Sequence, residues 1–147
     1  MTKKTIAKML NRALELEHSA HVQYLSHAET IGGLGSEGIV ARLKEIASDE
    51  AEHAEKFRTL IGAYLDDVPS MGIAKTRKAK TLKDVLRINM EDEKEAVRVY
   101  TKILAAVAKE RKSLPYEFLK LEHELRHVIM DEQEHITELK AMMGKIK

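Results

Sequence analysis

Six side chains with the chemistry of metal ligands recur along this chain in two copies of one pattern. Each copy is a glutamate with a tyrosine seven residues later, followed by an Asp-Glu-x-x-His motif. The two copies are Glu17/Tyr24 with Asp49-Glu50-x-x-His53, and Glu93/Tyr100 with Asp131-Glu132-x-x-His135. On a helix, residues three apart lie about 60° apart around the axis and residues seven apart about 20°. The spacing therefore predicts that each set projects from one helix face.

The composition indicates that these motifs lie on helices. Charged residues make up 33% of the 147 residues and aromatic residues only 4%, and proline occurs twice, which favours long helices. A chain of this length suits one domain with a continuous core. We therefore predict a single all-helical domain over residues 1–147.

The net charge and the cysteine content limit which partners and which kinds of metal site this chain can have. The net charge is +1 with acids and bases interspersed, so no overall field favours nucleic acid or an anionic membrane. The absence of cysteine excludes disulfides, thiolate zinc sites and iron–sulfur clusters. No apolar run has the length of a signal peptide or a membrane span. We expect a cytoplasmic protein with no nucleic-acid or membrane partner.

Capping and breaking residues divide the chain into four helices. The first hairpin, about 5–65, contains helix A from Thr2 or Thr5 to about Ile31 and helix B from Ser36 to Tyr64 or Leu65, with a break at 32–35. A polar crossover, about 66–80, follows. The second hairpin, about 81–143, contains helices C and D. Helix C starts at Thr81 and frays at 109–113. Helix D has Pro115 in its first turn and Gly144 as its C-cap. Four helices with one long middle connection form a four-helix bundle with a crossover between B and C.

The glutamates interrupt apolar stripes, so the bundle would bury four carboxylates together. Uncompensated buried charge costs several kcal/mol, and like charges increase that cost. Two divalent cations would balance four carboxylates, with neutral histidines completing the ligand shells. Protonated glutamates in a metal-free polar network remain an alternative. Two further Glu-x-x-His pairs, Glu15/His18 and Glu124/His127, point away from the apolar stripes and are interpreted as surface pairs.

These motifs resemble the ferritin-like superfamily, specifically bacterioferritin-like and rubrerythrin-like proteins, over nearly the whole chain. The resemblance implies a ferritin-like bundle with a di-iron centre. By this resemblance, Glu50 and Glu132 would bridge the two metals. The terminal ligands would be the carboxylates of Glu17 and Glu93 and the imidazoles of His53 and His135. The resemblance also implies that Asp49 and Asp131 orient those imidazoles and that Tyr24 and Tyr100 lie near the metals, to hydrogen-bond a ligand or donate an electron. The alternatives are solvated surface acids and ordinary core tyrosines.

Departures from the family patterns limit what the resemblance implies. Rubrerythrins typically carry an extra glutamate where this chain has Ala96, which weakens a peroxidase-specialised interpretation. Haem-binding bacterioferritins have a methionine where this chain has Ala51, so no haem is predicted. Cage-forming members continue into a fifth helix, whereas few residues follow His135 here. We expect a homodimer or a higher homo-oligomer.

The resulting functional prediction is a ferroxidase-type di-iron oxidoreductase. It would bind Fe(II) and oxidise it with dioxygen or hydrogen peroxide, and manganese is a possible alternative metal. A peroxide reductase with an external electron donor and a non-catalytic iron carrier or storage protein remain open. Hydroxylation of an organic substrate is not favoured, because the sequence indicates no substrate pocket.

Other histidines and apolar residues are interpreted as structural. His21 is expected in the core or an interface, and His27 and His123 on the surface. The basic stretch from Lys75 to Lys83 is interpreted as solvated. Leu16, Val22 and Leu25 suggest a second buried face for self-association.

Overall fold

Four long helices make up most of the part of the chain that the structure describes. The computed structural model describes residues 2–32 and 36–146, and no β-strand occurs within them. The helices are α1 (Thr2–Thr30), α2 (Glu37–Thr59), α3 (Leu82–Lys109) and α4 (Phe118–Gly144). A π-helical segment, Leu60–Tyr64, continues α2, and a short 3₁₀ turn, Arg111–Ser113, follows α3. The predicted all-helical four-helix bundle is confirmed.

The helix ends show which capping signals were accurate. Thr81 caps α3 as predicted, because its side chain accepts a hydrogen bond of 3.1 Å from the Asp84 N–H. Ser36 occupies the N-cap position of α2, but its side chain forms no capping bond to that helix. Of the predicted break at 32–35, residues 33–35 lie outside the described residues.

Two predicted boundaries of the last helix were wrong. Pro115 does not lie in the first turn of α4. It begins a separate turn in which the Phe118 N–H donates to the carbonyl of buried Leu114, and the helix starts at Phe118. Gly144 is the last residue of the helix, and Lys145 is its C-cap. Helix ends depend on such local hydrogen bonds, which residue type alone does not specify.

The crossover between α2 and α3 runs along the surface of α1. Asn11 on α1 donates to the carbonyl of Val68 at 3.1 Å and accepts from the N–H of Ser70 at 2.7 Å. Further along, the Arg77 N–H donates to Gln23 at 2.7 Å. These bonds hold the crossover against α1 from Val68 to Arg77.

The core consists of two apolar clusters at opposite ends of the bundle. The larger contains Leu10, Phe57 and Ile103, and the smaller contains Leu43 and Leu86. Along all four helices, the six predicted ligand residues fall between the segments that build these clusters. The bundle therefore has a polar layer between two apolar ends.

The outer surface is mostly polar. In the described part of the chain, none of the helices combines the length and apolar character needed to cross a bilayer. Of the residues predicted to form a second apolar face, Leu16 packs against the core, whereas Val22 and Leu25 are exposed on α1.

Candidate metal centre

The polar layer brings together six side chains from all four helices. Glu17 comes from α1 and Glu93 from α3, and each of the other two helices contributes a Glu/His pair three residues apart. The members are at most 3% exposed and are Glu17, Glu50, His53, Glu93, Glu132 and His135. Their common level follows from the packing, because apolar residues one or two turns away on each helix belong to the clusters above and below.

Within this layer the ligand atoms form two groups that share two glutamates. One group is Glu17, Glu50, His53 and Glu132, and the other is Glu50, Glu93, Glu132 and His135. In each group the potential ligand atoms lie within 4.8 Å of one another. Glu50 and Glu132 belong to both groups, so they occupy the positions that a ligand bridging two ions would need. Each group therefore offers three carboxylates and one imidazole as potential ligands of one ion.

Both histidines direct Nδ1 into the cluster and Nε2 out of it. His53 Nδ1 lies 3.2 Å from a Glu17 oxygen, and its Nε2 lies 2.9 Å from Asp131. His135 Nδ1 lies 2.8 Å from Glu93, and its Nε2 lies 3.0 Å from Asp49. Each aspartate thus contacts the histidine of the opposite half of the chain. An outer carboxylate that accepts the Nε2–H bond fixes the ring orientation and leaves Nδ1 facing the carboxylates.

The central glutamates have no hydrogen-bond partner. Both carboxylate oxygens of Glu50 and both of Glu132 are buried and accept no hydrogen bond within the described residues. The nearby Nδ1 atoms lie 3.1 Å from Glu50 and 3.0 Å from Glu132, but their hydrogen bonds go to Glu17 and Glu93. Buried carboxylates without donors are costly unless a cation or a proton neutralises them. The donor set therefore fits a pair of divalent cations.

Titration of the metal-free cluster reflects this crowding. Burial, followed by repulsion from Glu50, raises the pKa of Glu17 to about 8, and the same causes raise that of Glu93 to about 7. Burial and the three neighbouring carboxylates raise the pKa of Glu132 well above its usual range. Without metal, the protonated forms of Glu17, Glu93 and Glu132 are thus favoured near neutral pH.

The same carboxylates also favour the protonated form of both histidines. Burial alone disfavours the imidazolium of His53, yet the hydrogen bond to Glu17 and the adjacent Glu50 carboxylate raise its pKa to about 11. For His135, contacts with Glu93 outweigh burial and raise the pKa to about 9. A metal ion bound at Nδ1 would have to displace a proton from each ring.

The two tyrosines are both buried but have different partners. The Tyr24 hydroxyl donates to Glu93 at 3.0 Å, whereas the Tyr100 hydroxyl donates to the backbone carbonyl of Ala13 at 3.4 Å. Burial, followed by nearby carboxylates, raises the pKa of both phenols well above the usual value. Tyr24 therefore contacts a predicted ligand directly, and Tyr100 does not.

A small cavity borders the cluster between α1 and α3. Its volume is about 60 Å³, enough for a few water-sized molecules. Glu17 and Glu93 contribute to its wall, together with Ala20, Ala96 and Lys75 of the crossover. The two alanines lie one turn after the glutamates, where a longer side chain would occupy this space.

A buried polar network next to the cluster was not predicted from the sequence. His27, expected on the surface, is only 2% exposed: its Nε2–H donates to the Arg77 carbonyl at 2.7 Å, and its Nδ1 accepts from Asn89 at 2.9 Å. Gln23 donates to Asn89 and to Asp92 at 3.0 and 2.7 Å. The crossover covers this face of α1, an arrangement that helical periodicity cannot reveal.

The remaining histidines and Glu/His pairs lie outside the cluster. His21 contacts the carbonyl of Ala47 at 2.7 Å, and His18 contacts that of Gly72 at 2.7 Å. Glu124, expected on the surface, is only 9% exposed and lies near Lys56 and Lys120.

Comparison with known proteins gives a consistent assignment. The family model described as ferritin-like domain matches residues 7–147. No curated protein matches the chain significantly. Among solved structures, a ferritin-like, diiron-carboxylate protein from Bacillus anthracis superposes with a TM-score of 0.89 at 24% identity, covering 97% of this chain and 98% of that one.

Two bacterioferritins are also similar in fold, each with a TM-score of 0.85. The one from Desulfovibrio desulfuricans, determined with its diiron site in different catalytic states, is 22% identical and covers 97% of this chain and 80% of its own. The one from Rhodobacter capsulatus, with a metal-free dinuclear site and haem iron, is 20% identical and covers 96% of this chain and 84% of its own. The predicted resemblance is confirmed: the chain belongs to the ferritin-like domain family.

Proposed function

We propose that this protein binds two ferrous ions in the polar layer and oxidises them with dioxygen or hydrogen peroxide. The observation that carries the proposal is the pair of shared glutamates, Glu50 and Glu132, whose four buried oxygens have no hydrogen-bond donor among residues 2–32 and 36–146. Four carboxylates balance the charge of two divalent ions, so loading removes the repulsion within the cluster. Without the ions, protons would have to neutralise this crowded cluster instead.

Each residue of the cluster then has a defined role. Glu50 and Glu132 would hold both ions, and Glu17 and Glu93 would each hold one. His53 and His135 would bind through Nδ1, while Asp131 and Asp49 keep the contacts to Nε2 that hold the rings in place. Tyr24 fixes the orientation of the Glu93 carboxylate through its hydrogen bond.

The oxygen-rich donor set suits iron, and manganese is the alternative that such ligands also accept. Two ferrous ions supply two electrons, which together with two protons reduce dioxygen to hydrogen peroxide, or hydrogen peroxide to water. The cavity of about 60 Å³ beside Glu17 and Glu93 offers space for either oxidant next to the ions. The bacterioferritin from Desulfovibrio desulfuricans, whose diiron site was determined in different catalytic states, supports redox activity by analogy.

The test is iron oxidation by the metal-free protein. Two equivalents of Fe(II) per chain are added without oxygen, and oxygen or peroxide is then admitted while ferric absorbance is followed. We expect saturation at two ions per chain and oxidation faster than in a protein-free control. Binding of two ions without faster oxidation would instead indicate an iron carrier. A strong rate preference for peroxide combined with a need for an electron donor would indicate a peroxide reductase.

Self-association forms a second part of the proposal. The apolar residues Val22 and Leu25 are 44% and 38% exposed on one side of α1. Such exposed apolar residues favour an interface between copies. Light scattering of the purified protein would give the oligomeric state, and a monomer at micromolar concentration would contradict this expectation.

A further inference from the structure

Two histidines outside the buried cluster lie one helical turn apart on α4. His123 and His127 are four residues apart, so their side chains project about 40° apart around the helix axis. Their ring centroids are 4.2 Å apart, with planes inclined by 45°. The His123 side chain is 54% exposed, and His127 is partly exposed. Ions in solution can therefore reach both rings.

These rings differ from the other five of the chain's seven histidines. His18, His21 and His27 each direct a ring nitrogen to a backbone carbonyl at 2.7 Å, and the two cluster histidines contact carboxylates at both nitrogens. Across residues 2–32 and 36–146, neither His123 nor His127 has a hydrogen-bond partner. The nearest ion-pair contact is a Glu124 oxygen 3.9 Å from His123 Nε2. Both imidazoles retain free nitrogens.

We propose that His123 and His127 chelate one late transition-metal dication, Ni²⁺, Cu²⁺ or Zn²⁺, on the surface of α4. Two histidines four residues apart on one helix face are an established arrangement for binding zinc, and imidazole is a preferred ligand of all three ions. The exposed position leaves the other coordination positions to water. Met130, three residues after His127 and 40% exposed, lies on the same face as a potential soft donor.

The charges around His123 and His127 offset each other, so the affinity for a metal ion would come from the imidazoles. Glu122 is bound to Arg126 at 2.7 Å, and Glu124 lies between Lys56 and Lys120 at 3.8 and 3.4 Å. Carboxylates and cations thus offset each other around the pair. The buried cluster, by contrast, is rich in carboxylates. Since affinity for nitrogen ligands rises from manganese and iron to nickel and copper, the pair should discriminate against Mn²⁺ and Fe²⁺.

The first experiment compares Ni²⁺ binding by calorimetry in the parent protein and in the variant His123→Gln/His127→Gln. Both retain the buried cluster, so its contribution is common to the two titrations. We expect the parent to bind one more Ni²⁺ per chain than the double variant. Each single variant should weaken that site by roughly 100-fold, because chelation makes the second contact intramolecular. Equal stoichiometry and affinity in parent and double variant would overturn the proposal.

A register variant supplies the matched control. Glu122→His/His123→Gln keeps two histidines on the helix but separates them by five residues, which places them about 140° apart around the axis. It should behave like the double variant. Retention of the parent's nickel site in this variant would show that histidine content, and not the pair, determines binding. All substituted positions are at least partly exposed, and circular dichroism would verify that helix content is unchanged.

Discussion

The two halves of this protein each contribute two glutamates and one histidine to the cluster, but they surround these side chains differently. Tyr24 and Tyr100 occupy equivalent positions, seven residues after Glu17 and Glu93. Tyr24 nevertheless donates to a carboxylate of the cluster, and Tyr100 donates to a backbone carbonyl. The two halves therefore share the candidate ligand positions and the histidine contacts but not the hydrogen bonds of the tyrosines.

The neighbours of the tyrosines explain this difference. Beside Tyr24, the buried network contains Gln23, His27 and Asn89. The equivalent positions of the other half carry residues without hydrogen-bonding side chains, namely Val99, Ile103 and Ala13. One end of the cluster is thus polar and bound to the crossover, while the other belongs to the larger apolar cluster. The ligands require fixed chemistry in both halves, whereas the packing beside them does not.

The largest expected effect concerns the two glutamates that belong to both groups of candidate ligands. Replacement of both Glu50 and Glu132 by glutamine should abolish uptake of the ion pair, because it removes two charges and every bridging carboxylate. Metal analysis after loading with Fe(II) would measure this loss. The matched control is Glu52→Gln/Glu134→Gln, which changes exposed glutamates of the same two motifs. Parent-like uptake by the first variant would contradict the ligand assignment.

The next effect separates the polar end from the apolar end. His27→Leu should lower the free energy of unfolding by about 2–4 kcal/mol, because it removes the partners of the partly buried Arg77 carbonyl and of one buried Asn89 N–H. At the equivalent position, Ile103→Leu keeps the volume of an apolar side chain and should cost less than about 1.5 kcal/mol. Urea unfolding of the metal-free proteins would measure both. Similar losses in the two variants would contradict the proposed contrast.

The tyrosines should show a smaller difference in the same direction. Tyr24→Phe removes a hydrogen bond to the buried Glu93 carboxylate and should cost about 1–3 kcal/mol. Tyr100→Phe removes a longer bond to a carbonyl and should cost about 0.5–1.5 kcal/mol. The first variant should also raise the pKa of Glu93 further, since the lost bond favours its ionised form. Chemical denaturation would measure the two losses of stability, and NMR titration would measure the pKa of Glu93. Equal losses in the two variants would contradict the proposed difference between the tyrosines.

The sequence predicted those features that depend on helical spacing alone. Glu50 and His53 had to share a face of α2, and the interrupted apolar stripes placed all four glutamates at one level of the bundle. The structure brings these side chains together, although their role as ligands remains a prediction. The Thr81 cap was likewise predictable, because a side chain and a backbone N–H three residues apart suffice to form it.

The features that sequence analysis missed depend on contacts between distant segments. His27 is buried because the crossover passes over it, fifty residues further along the chain. The exchange of partners between Asp49 and His135, and between Asp131 and His53, depends on how α2 faces α4. A mixed signal existed for His27, since it lies on α1 next to apolar Ala28. Periodicity cannot say which segment covers such a face.

The smallest expected effect on stability concerns two ion pairs on the outside of α2 and α4. Arg42 on α2 binds Glu138 on α4 through two hydrogen bonds, one of them 2.6 Å long. At equivalent positions, Lys56 on α2 faces Glu124 on α4 at 3.8 Å. The α2 residue is the cation in both pairs, but only arginine offers the bidentate geometry that matches a carboxylate.

We therefore expect Arg42→Gln to cost about 0.5–1 kcal/mol, a value limited by the partial exposure of the pair, and Lys56→Gln to cost less. The hydrogen bond to Arg42 lowers the pKa of Glu138 below its ordinary 4.5. A lowered pKa in the folded state means that the stabilisation is present above pH 4.5 and is lost as the pH falls through the folded pKa. The difference in stability between the parent and Arg42→Gln should accordingly shrink between pH 6 and pH 3, as urea unfolding would show. A difference that stays constant over this range would mean that packing of the arginine stem, and not its charge, connects the two helices here.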